Sequence, residues 1–338
     1  MNIQELIFNL CTARGVSGDE NAAASVAEQY LAAFAETSVD CNGNVIAVCG
    51  NPSAEKTILL DAHLDQIGLI VTDINENGFV KVAACGGIDV RTLQNEVFET
   101  KDGARGTVCC LPPHLSDGSE SKAEPMSKVW LDFGMSREEV QEHLETGDTL
   151  TFSEKPAMLL NGRITSPALD NRSSVAALIA AGELVKDARD YKVVILLSVQ
   201  EETYGTGAAT GAFAQEPDEA IVVDVSFASQ PDVSGQYAGI ELGKGPMIGI
   251  APILNRDITD TLAGLAQSLD IPFQYEPLPG STGTNADKIA VSKSGVKTAL
   301  ISIPERYMHT QSEVLDPADV ENTARLIAAY ILRGGSAE

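Results

Sequence analysis

Basic residues are scarce in this 338-residue chain: 23 Lys and Arg stand against 48 Asp and Glu, a formal net charge of −25. A surface of that sign repels nucleic acid and anionic lipid, so neither is expected as a partner. Long apolar runs are missing too, and no stretch approaches the roughly 20 apolar residues of a membrane span. The opening residues Met1-Asn2-Ile3-Gln4-Glu5-Leu6 carry neither the basic flank nor the apolar run of a signal peptide. A cytoplasmic location is the resulting expectation. Cysteine occurs at 11, 41, 49, 85, 109 and 110 without a CxxC pair. The adjacent Cys109-Cys110 suits neither a zinc ribbon nor an ordinary disulfide, so all six read as reduced core residues. Histidine is rarest among the groups able to do chemistry: only His63, His114, His143 and His309 are present.

What is present is an ordinary globular balance, 44% apolar and 21% charged, long enough for two domains or one domain with an insertion. Ile3, Leu6, Ile7 and Leu10 share one helical face. Ser17 and Glu20 have the spacing of a capping box, which predicts a helix running on through Phe34. Thr57–Ala62 reads as a buried strand ending at His63. From about 67 to 156 the texture changes to short apolar runs punctuated by Asn77-Gly78, Gly86-Gly87, Pro112-Pro113 and Asp117-Gly118, a small all-β pattern. A short helix at about 136–145, with Ser136 as its cap, interrupts it, and Ser116–Lys128 reads as a polar loop. After about 165, strands and helices alternate: a helix from 171 or 172 to 186, strands at 192–199, 220–225 and 297–303, and helices near 208–214, 257–269 and 317–332. That alternation predicts an α/β fold, a sheet with helices on both faces, interrupted by a β-rich insertion.

The informative residues stand at strand ends. Gln200-Glu201-Glu202 follows the β-branched run Val193–Val199, and ionised Glu is rarely buried without a partner. His63-Leu64-Asp65 ends the first strand, Asp170 precedes a helix, Asp224 sits between two valines, and His309 follows the last strand. Open α/β sheets collect ligand sites at such ends. Singly, each has a bland explanation: a surface pair, a helix cap, a solvated turn, a loop histidine. Asp224 resists it best, because a lone buried carboxylate is costly. His114 and His143 lie in the insertion and keep the bland reading. Together, two imidazoles and several carboxylates suit Zn²⁺ or a similar divalent ion. Asp65, two residues from His63 on the same extended face, is placed to accept from the other ring nitrogen.

These residues carry a resemblance that covers nearly the whole chain. The segments Ala62-His63-Leu64-Asp65-Gln66-Ile67-Gly68, Ala168-Leu169-Asp170-Asn171-Arg172, Val199-Gln200-Glu201-Glu202, Val223-Asp224-Val225, Gly243-Lys244-Gly245-Pro246 and Ser302 through His309 are similar to those of metallopeptidase family 42. These are the glutamyl and tetrahedral aminopeptidases, sometimes labelled cellulases or endoglucanases. The resemblance implies a three-layer, phosphorylase/hydrolase-like di-zinc peptidase domain built from residues 1–66 and 157–338. Residues 67–156 would be an inserted, small β-barrel-like (PDZ-like) dimerisation domain. It implies two divalent metal ions, zinc first and cobalt or manganese otherwise. His63 and Asp224 would hold one ion, Glu202 and His309 the other, and Asp170 would bridge them. Glu201 would be the general base on a metal-bridging water, and Asp65 would orient His63. Peptides with a free N-terminus would be the substrates, and the chain would form a homo-oligomer, dimer or dodecamer. Three departures bear on it: Asn171 where a second Asp is usual, the run Thr203–Gly207, and Asn285 and Asp287 exchanged relative to the common pattern.

The rival readings are another di-metal amidohydrolase, such as a carboxypeptidase or N-acyl amino acid deacylase, a glycosidase acting through Glu201 and Glu202, and a non-catalytic binding protein. The first usually carries its extra domain between the fourth and fifth ligands, whereas the insertion here falls between His63 and Asp170. The second needs two carboxyls flanking a sugar, and adjacent residues of an extended segment point apart.

Overall fold

The apolar runs become strands, and helices cover both sides of them. The computed structural model describes residues 2–115, 124–231 and 233–333. In chain order come α1 (Ile3–Thr12), α2 (Asn21–Leu31), β1 (Glu36–Val39), β2 (Val45–Gly50) and β3 (Lys56–His63). A compact β segment follows: β4 (Gly68–Ile74), β5 (Val80–Cys85), β6 (Val97–Glu99), β7 (Arg105–Val108), β8 (Trp130–Asp132), α3 (Arg137–Val140) and β9 (Thr149–Phe152). Then come β10 (Ala157–Met158), β11 (Ile164–Ser166), α4 (Leu169–Val185), β12 (Tyr191–Ser198), α5 (Thr206–Gln215), β13 (Glu219–Phe227) and β14 (Met247–Ile250). The chain closes with α6 (Arg256–Ser268), β15 (Gln274–Pro277), α7 (Ala286–Ile289), β16 (Lys297–Arg306), β17 (Glu313–Leu315) and α8 (Pro317–Leu332).

Among the described residues, eleven strands form one sheet whose main path is β1-β2-β12-β3-β13-β16-β17-β11-β10. Its centre is parallel: β12 on β3, β3 on β13, β13 on β16. Alternate residues face opposite cores. Ile58, Leu60, Val193, Ile195, Leu197, Val223 and Ile301 pack against α1, α2, α4, α6 and α8. Leu59, Val194, Leu196, Val222 and Leu300 pack against α5 and α7. Burial on both faces is why these strands are almost uninterrupted in apolar residues. It gives three layers, helix on sheet on helix, as the alternating pattern predicts. Because the central strands run the same way, their carboxyl ends open on one edge.

The β segment closes into a barrel of order β4-β5-β8-β7-β6-β9. It has a hydrophobic cluster of its own, with Leu69, Val82, Phe98, Leu131 and Phe152 among its members. The Phe98 and Phe152 rings lie 4.7 Å apart. Ser136 caps α3 with the expected capping box to Glu139, although the helix ends at Val140 rather than near 145. Of the polar loop expected at 116–128, residues 116–123 lie outside the described residues, and Met126–Lys128 forms one 3₁₀ turn.

Several expectations are corrected. The strand ending at His63 is not the first, since the β1–β2 hairpin precedes it; β1 is too polar and exposed to announce itself. Ser17 and Glu20 do not form a capping box. The N-cap of α2 is Glu20 with no side-chain hydrogen bond, and both residues turn toward distant partners described below. The helix also stops at Leu31, short of Phe34. All six cysteines are free, but only Cys11 and Cys49 are buried, while Cys41, Cys109 and Cys110 are exposed. Among the described residues no helix is long and apolar enough to cross a membrane.

One buried cation locks α1 to α4. Arg172 is fully buried, and its Nη1 donates to the carbonyls of Leu10 at 2.8 Å and Ala13 at 3.2 Å. These lie at the end of α1, where the Leu10 carbonyl also accepts from Ala13 N–H at 3.2 Å. Burial pulls the guanidinium pKa down to about 10. A Cβ on Gly15 would collide with its Nη2, so glycine is required there. Arg172→Ala is expected to lower stability by about 3–5 kcal/mol, through a cavity and the hydrogen bonds lost to the Leu10 and Ala13 carbonyls. Gly15→Ala should cost about 1–3 kcal/mol by overpacking. Urea unfolding midpoints measure both, and an unchanged midpoint for Arg172→Ala would contradict this account.

Candidate active site

The strand ends bring the expected residues together. His63, the last residue of β3, places Nε2 3.2 Å from Asp170 Oδ1 and 3.8 Å from both Asp224 Oδ1 and Glu201 Oε2. His309, in the turn after β16, places Nε2 3.2 Å from Asp170 Oδ2 and 3.2 Å from Glu202 Oε2. Asp170 thus gives one oxygen to each imidazole. The neighbouring Glu201 and Glu202 part company: one points toward His63, the other toward His309. Among the described residues, His63, Asp170 and Glu202 offer ligand atoms within 4.8 Å of one another, a group able to hold a metal ion. His114 and His143 stay in the barrel segment, His114 exposed and His143 bonded to Asp102.

The backbone is bent hard to reach this arrangement. Ala168, Gln200, Tyr307 and His309 all hold φ values of 60 to 66°, a left-handed conformation uncommon outside glycine and costing on the order of 1–3 kcal/mol each. Hydrogen bonds from outside the cluster oppose that cost. Asp65 accepts from the backbone N–H of Glu201 at 2.9 Å and of Glu202 at 3.0 Å, and from the Ser17 hydroxyl. Glu20 Oε1 accepts from Gln200 N–H at 3.1 Å. The local capping pattern of Ser17 and Glu20 loses to these tertiary partners.

Both ring tautomers are set by carbonyls. His63 Nδ1 lies 3.1 Å from the backbone oxygen of Asp65, and His309 Nδ1 lies 3.1 Å from that of Gly87. A carbonyl only accepts, so Nδ1 carries the proton and Nε2 turns toward the carboxylates. The Asp65 carboxylate itself stands at 3.4 Å from His63 Nδ1. It faces the ring nitrogen as the spacing predicts, and it also accepts from the Glu201-Glu202 backbone and Ser17, a role the spacing did not suggest. A Cβ on Gly87 would come within 2.6 Å of His309 Nδ1, which is why the barrel segment meets the ring with a glycine.

Charge is unbalanced here. Burial pushes the Asp224 carboxyl well above its ordinary value, raises Glu202, and pushes Glu201 up to about 7. For Asp170 burial acts the same way, but the two histidines outweigh it and lower its pKa. Burial depresses both imidazoles, yet hydrogen bonds to Asp170 leave His63 well above its usual value and His309 at about 11. Four acids share the site with two imidazoles, and a cation belongs between them. A proton bridge would draw N and O to about 2.7–2.9 Å. Donors around one tetrahedral zinc ion, at bonds of 2.0–2.2 Å, lie roughly 3.3 Å apart, and the separations of 3.2 Å match that. Asp170 Oδ1 and Glu202 Oε1 are also buried without a hydrogen-bond partner. The donor set fits a divalent ion.

Glu313 belongs to this site and was not foreseen. It is 2% exposed, and its two oxygens accept from Asp170 N–H and His309 N–H, both at 3.1 Å. Beside it Glu305 is buried with neither oxygen paired, and burial first, then their mutual repulsion, sets the pKa of Glu305 well above normal. Nothing in Thr310-Gln311-Ser312-Glu313 marks the glutamate as buried; only its position four residues after His309 hints at it. The departures from the family pattern act at a remove. Asn171 is buried and donates to the Val223 carbonyl at 3.0 Å, bracing the strand beside Asp224. Gly205, at φ 68°, closes the turn after Glu202 by bonding Gln200 O at 2.8 Å. Asn285 donates to Asp61 and Ser198, while Asp287 accepts from the N–H groups of Thr282 and Gly283.

Comparison with known proteins places this geometry. The model of the M42 glutamyl aminopeptidase family matches residues 43–326. A lysyl aminopeptidase of Pyrococcus furiosus is 36% identical over 336 residues, covering 97% of this chain and 96% of that protein. The structure of an aminopeptidase from the archaeon Desulfurococcus kamchatkensis superposes with a TM-score of 0.91 at 32% identity, covering 98% of this chain and 94% of that one. The Pyrococcus horikoshii TET1 peptidase, described as able to assemble into a tetrahedron or a large octahedral shell, superposes with a TM-score of 0.85 at 30% identity, covering 98% and 99%.

Residues that orient ligands typically tune metal affinity 10- to 100-fold. Asp65→Asn and Glu313→Gln each keep one acceptor oxygen and turn an amide toward a backbone N–H. Each is expected to weaken zinc binding by about 10- to 100-fold, read by calorimetric titration of chelator-stripped protein. Wild-type affinity in both would show that these carboxylates do not hold the site.

Proposed function

This chain belongs to the M42 glutamyl aminopeptidase family, a family of peptide hydrolases, and on that premise we propose that it removes N-terminal residues from peptides using two divalent metal ions and Glu201 as general base. The observation that carries the reading is Asp170, whose two oxygens each stand 3.2 Å from a different imidazole. His63 and Asp224 would hold one ion, His309 and Glu202 the other, with Asp170 shared and zinc the first choice of metal. Bound ions of this kind lower the pKa of a water and polarise the scissile carbonyl.

The chain's own residues do the rest. Glu201, next to a ligand but turned toward His63, takes the proton of the attacking water and returns it to the leaving amine. Burial raises its pKa above the ordinary carboxylate value, the direction that helps a carboxylate carry a proton. Asp65 holds Glu201 and Glu202 through their backbone N–H groups, so the base keeps its aim as its charge changes. The surrounding carboxylates favour a cationic amino terminus over an acylated one, which supports cleavage of the first peptide bond. A deacylase or carboxypeptidase reading gains nothing from the relatives, which are named as aminopeptidases. A glycosidase reading has no use for two imidazoles sharing one carboxylate.

We assign the barrel segment, 67–156, to contacts between copies, and residues 1–66 with 157–338 to the hydrolase. The assembly described for the Pyrococcus horikoshii protein supports a homo-oligomer here, dimer or dodecamer. The acidic surface argues against nucleic acid and membrane partners.

Glu201→Gln should cut turnover of aminoacyl-nitroanilides by about 100- to 10,000-fold with unchanged metal content by elemental analysis. Retained turnover would remove Glu201 from its role. Chelation should abolish activity and added zinc, cobalt or manganese restore it. An N-acetylated peptide should resist cleavage, and equal hydrolysis of free and acetylated forms would favour the deacylase reading.

A further inference from the structure

The cavity beside the cluster, about 460 Å³, is lined in part by Thr282, Gly283 and Thr284. This turn belongs to no strand and leads into α7. It is stiff within itself. Asp287 accepts from Thr282 N–H at 2.9 Å, from the Thr282 hydroxyl at 2.9 Å and from Gly283 N–H at 3.1 Å. Turn and helix therefore move as one piece, and whatever fixes that piece to the sheet also fixes the wall. Its apolar hold is small: Ala286 and Ile289 join the cluster that contains Leu59 and Leu196.

Asn285 supplies the polar hold. It is the N-cap of α7, a position where Asn is favoured because its oxygen takes a helical N–H, yet its side chain makes no capping hydrogen bond. The Thr284 hydroxyl accepts from Ala286 N–H at 3.2 Å instead. The Asn285 side chain turns into the sheet, where it is buried. Its amide gives one hydrogen to Asp61 Oδ2 at 3.0 Å and the other to Ser198 Oγ at 2.9 Å. Asp61 is fully buried on β3, two residues before His63, and Ser198 of β12 stands opposite His63 itself. The turn after Glu202 also passes close by, since a Cβ on Gly205 would stand 3.3 Å from Asn285 Oδ1. One amide thus joins the strand that ends in His63, the strand that leads to Glu201 and Glu202, and the wall of the cavity. A buried amide that gives both hydrogens to fixed partners is expensive to displace.

We propose that Asn285 is a positioning residue: it sets the 282–284 wall, against which a substrate rests, relative to the ligand-bearing ends of β3 and β12. It touches neither substrate nor metal. Loss of the tether weakens the hold on substrate and leaves in place the metal ligands, which Asp65 and Glu313 brace. This rests on the aminopeptidase reading above.

The test uses the aminoacyl-nitroanilide that the wild type cleaves fastest with added zinc. Asn285→Asp removes both donors and sets a second carboxylate against Asp61. Its kcat/KM should fall by about 10- to 100-fold, the worth of a buried hydrogen bond left unmade. The loss should come through KM, with kcat and zinc content by elemental analysis close to wild type. Adding Asp61→Asn to it restores a donor and an acceptor in reversed order, and KM should return to within about threefold of wild type. A merely structural role would lower the urea midpoint and leave KM unmoved, and that result would overturn the proposal. So would a double variant no better than Asn285→Asp, or a fall in kcat accompanied by loss of zinc. Each of these leaves the aminopeptidase reading intact. If Asn285→Asp does not fold, Asn285→Ala deletes both donors without adding charge; its KM should rise in the same way, and an unchanged KM would overturn the proposal. No cleavage of any nitroanilide by the wild type would sink both readings.

Discussion

Asp170 gives one oxygen to His63 and the other to His309, each at 3.2 Å, and much of the architecture serves to keep that carboxylate where it is. Its backbone N–H is held by Glu313, which also holds His309. The next residue, Asn171, ties it to β13 beside Asp224, and Arg172 anchors the start of α4 to the end of α1. Three consecutive side chains thus reach three different elements. An acid shared by two imidazoles needs this much support, because four carboxylates gathered in one buried place repel one another until a cation joins them.

The sheet was legible in the sequence wherever strands are buried on both faces. Runs such as Val193–Val199 and Ala220–Val225 tolerate few polar residues, so a polar residue at their ends stands out. That is how His63, Glu201, Glu202 and Asp224 could be singled out without a structure. What was hidden has a common physical cause, a residue's partner lying far along the chain. Ser17 and Glu20 fit a local capping pattern, yet their oxygens serve Asp65 and Gln200. Glu313 follows a polar run and looks like loop surface. Gly87 contributes only a carbonyl, and a backbone atom leaves no trace in residue type. The β1–β2 hairpin escaped because its outer strand is an exposed, polar edge.

The barrel segment has its own hydrophobic cluster, yet it is not a bystander to the cluster of ligands. Gly87 reaches out of it to the His309 ring, and Gly86 passes close to Glu202, where an added Cβ would come within 3.3 Å of that residue's own. Both positions need glycine for close approach rather than for a turn alone. A shift of the barrel relative to the sheet would therefore move the carbonyl that the His309 ring meets.

The cluster is also divided in time. His63 and Asp65 leave the ribosome early, whereas β16, His309 and Glu313 belong to the last part of the chain to be made. Until then β13 lacks its neighbour on one side, and Asp170 faces a single imidazole with nothing holding its N–H. A polypeptide still in synthesis, or one clipped before its final strand, lacks His309 and the Glu313 carboxylate that holds its backbone. The second imidazole facing Asp170 is thus the last of the cluster to be made, and the cluster is complete only once the chain's final parallel strand is in place.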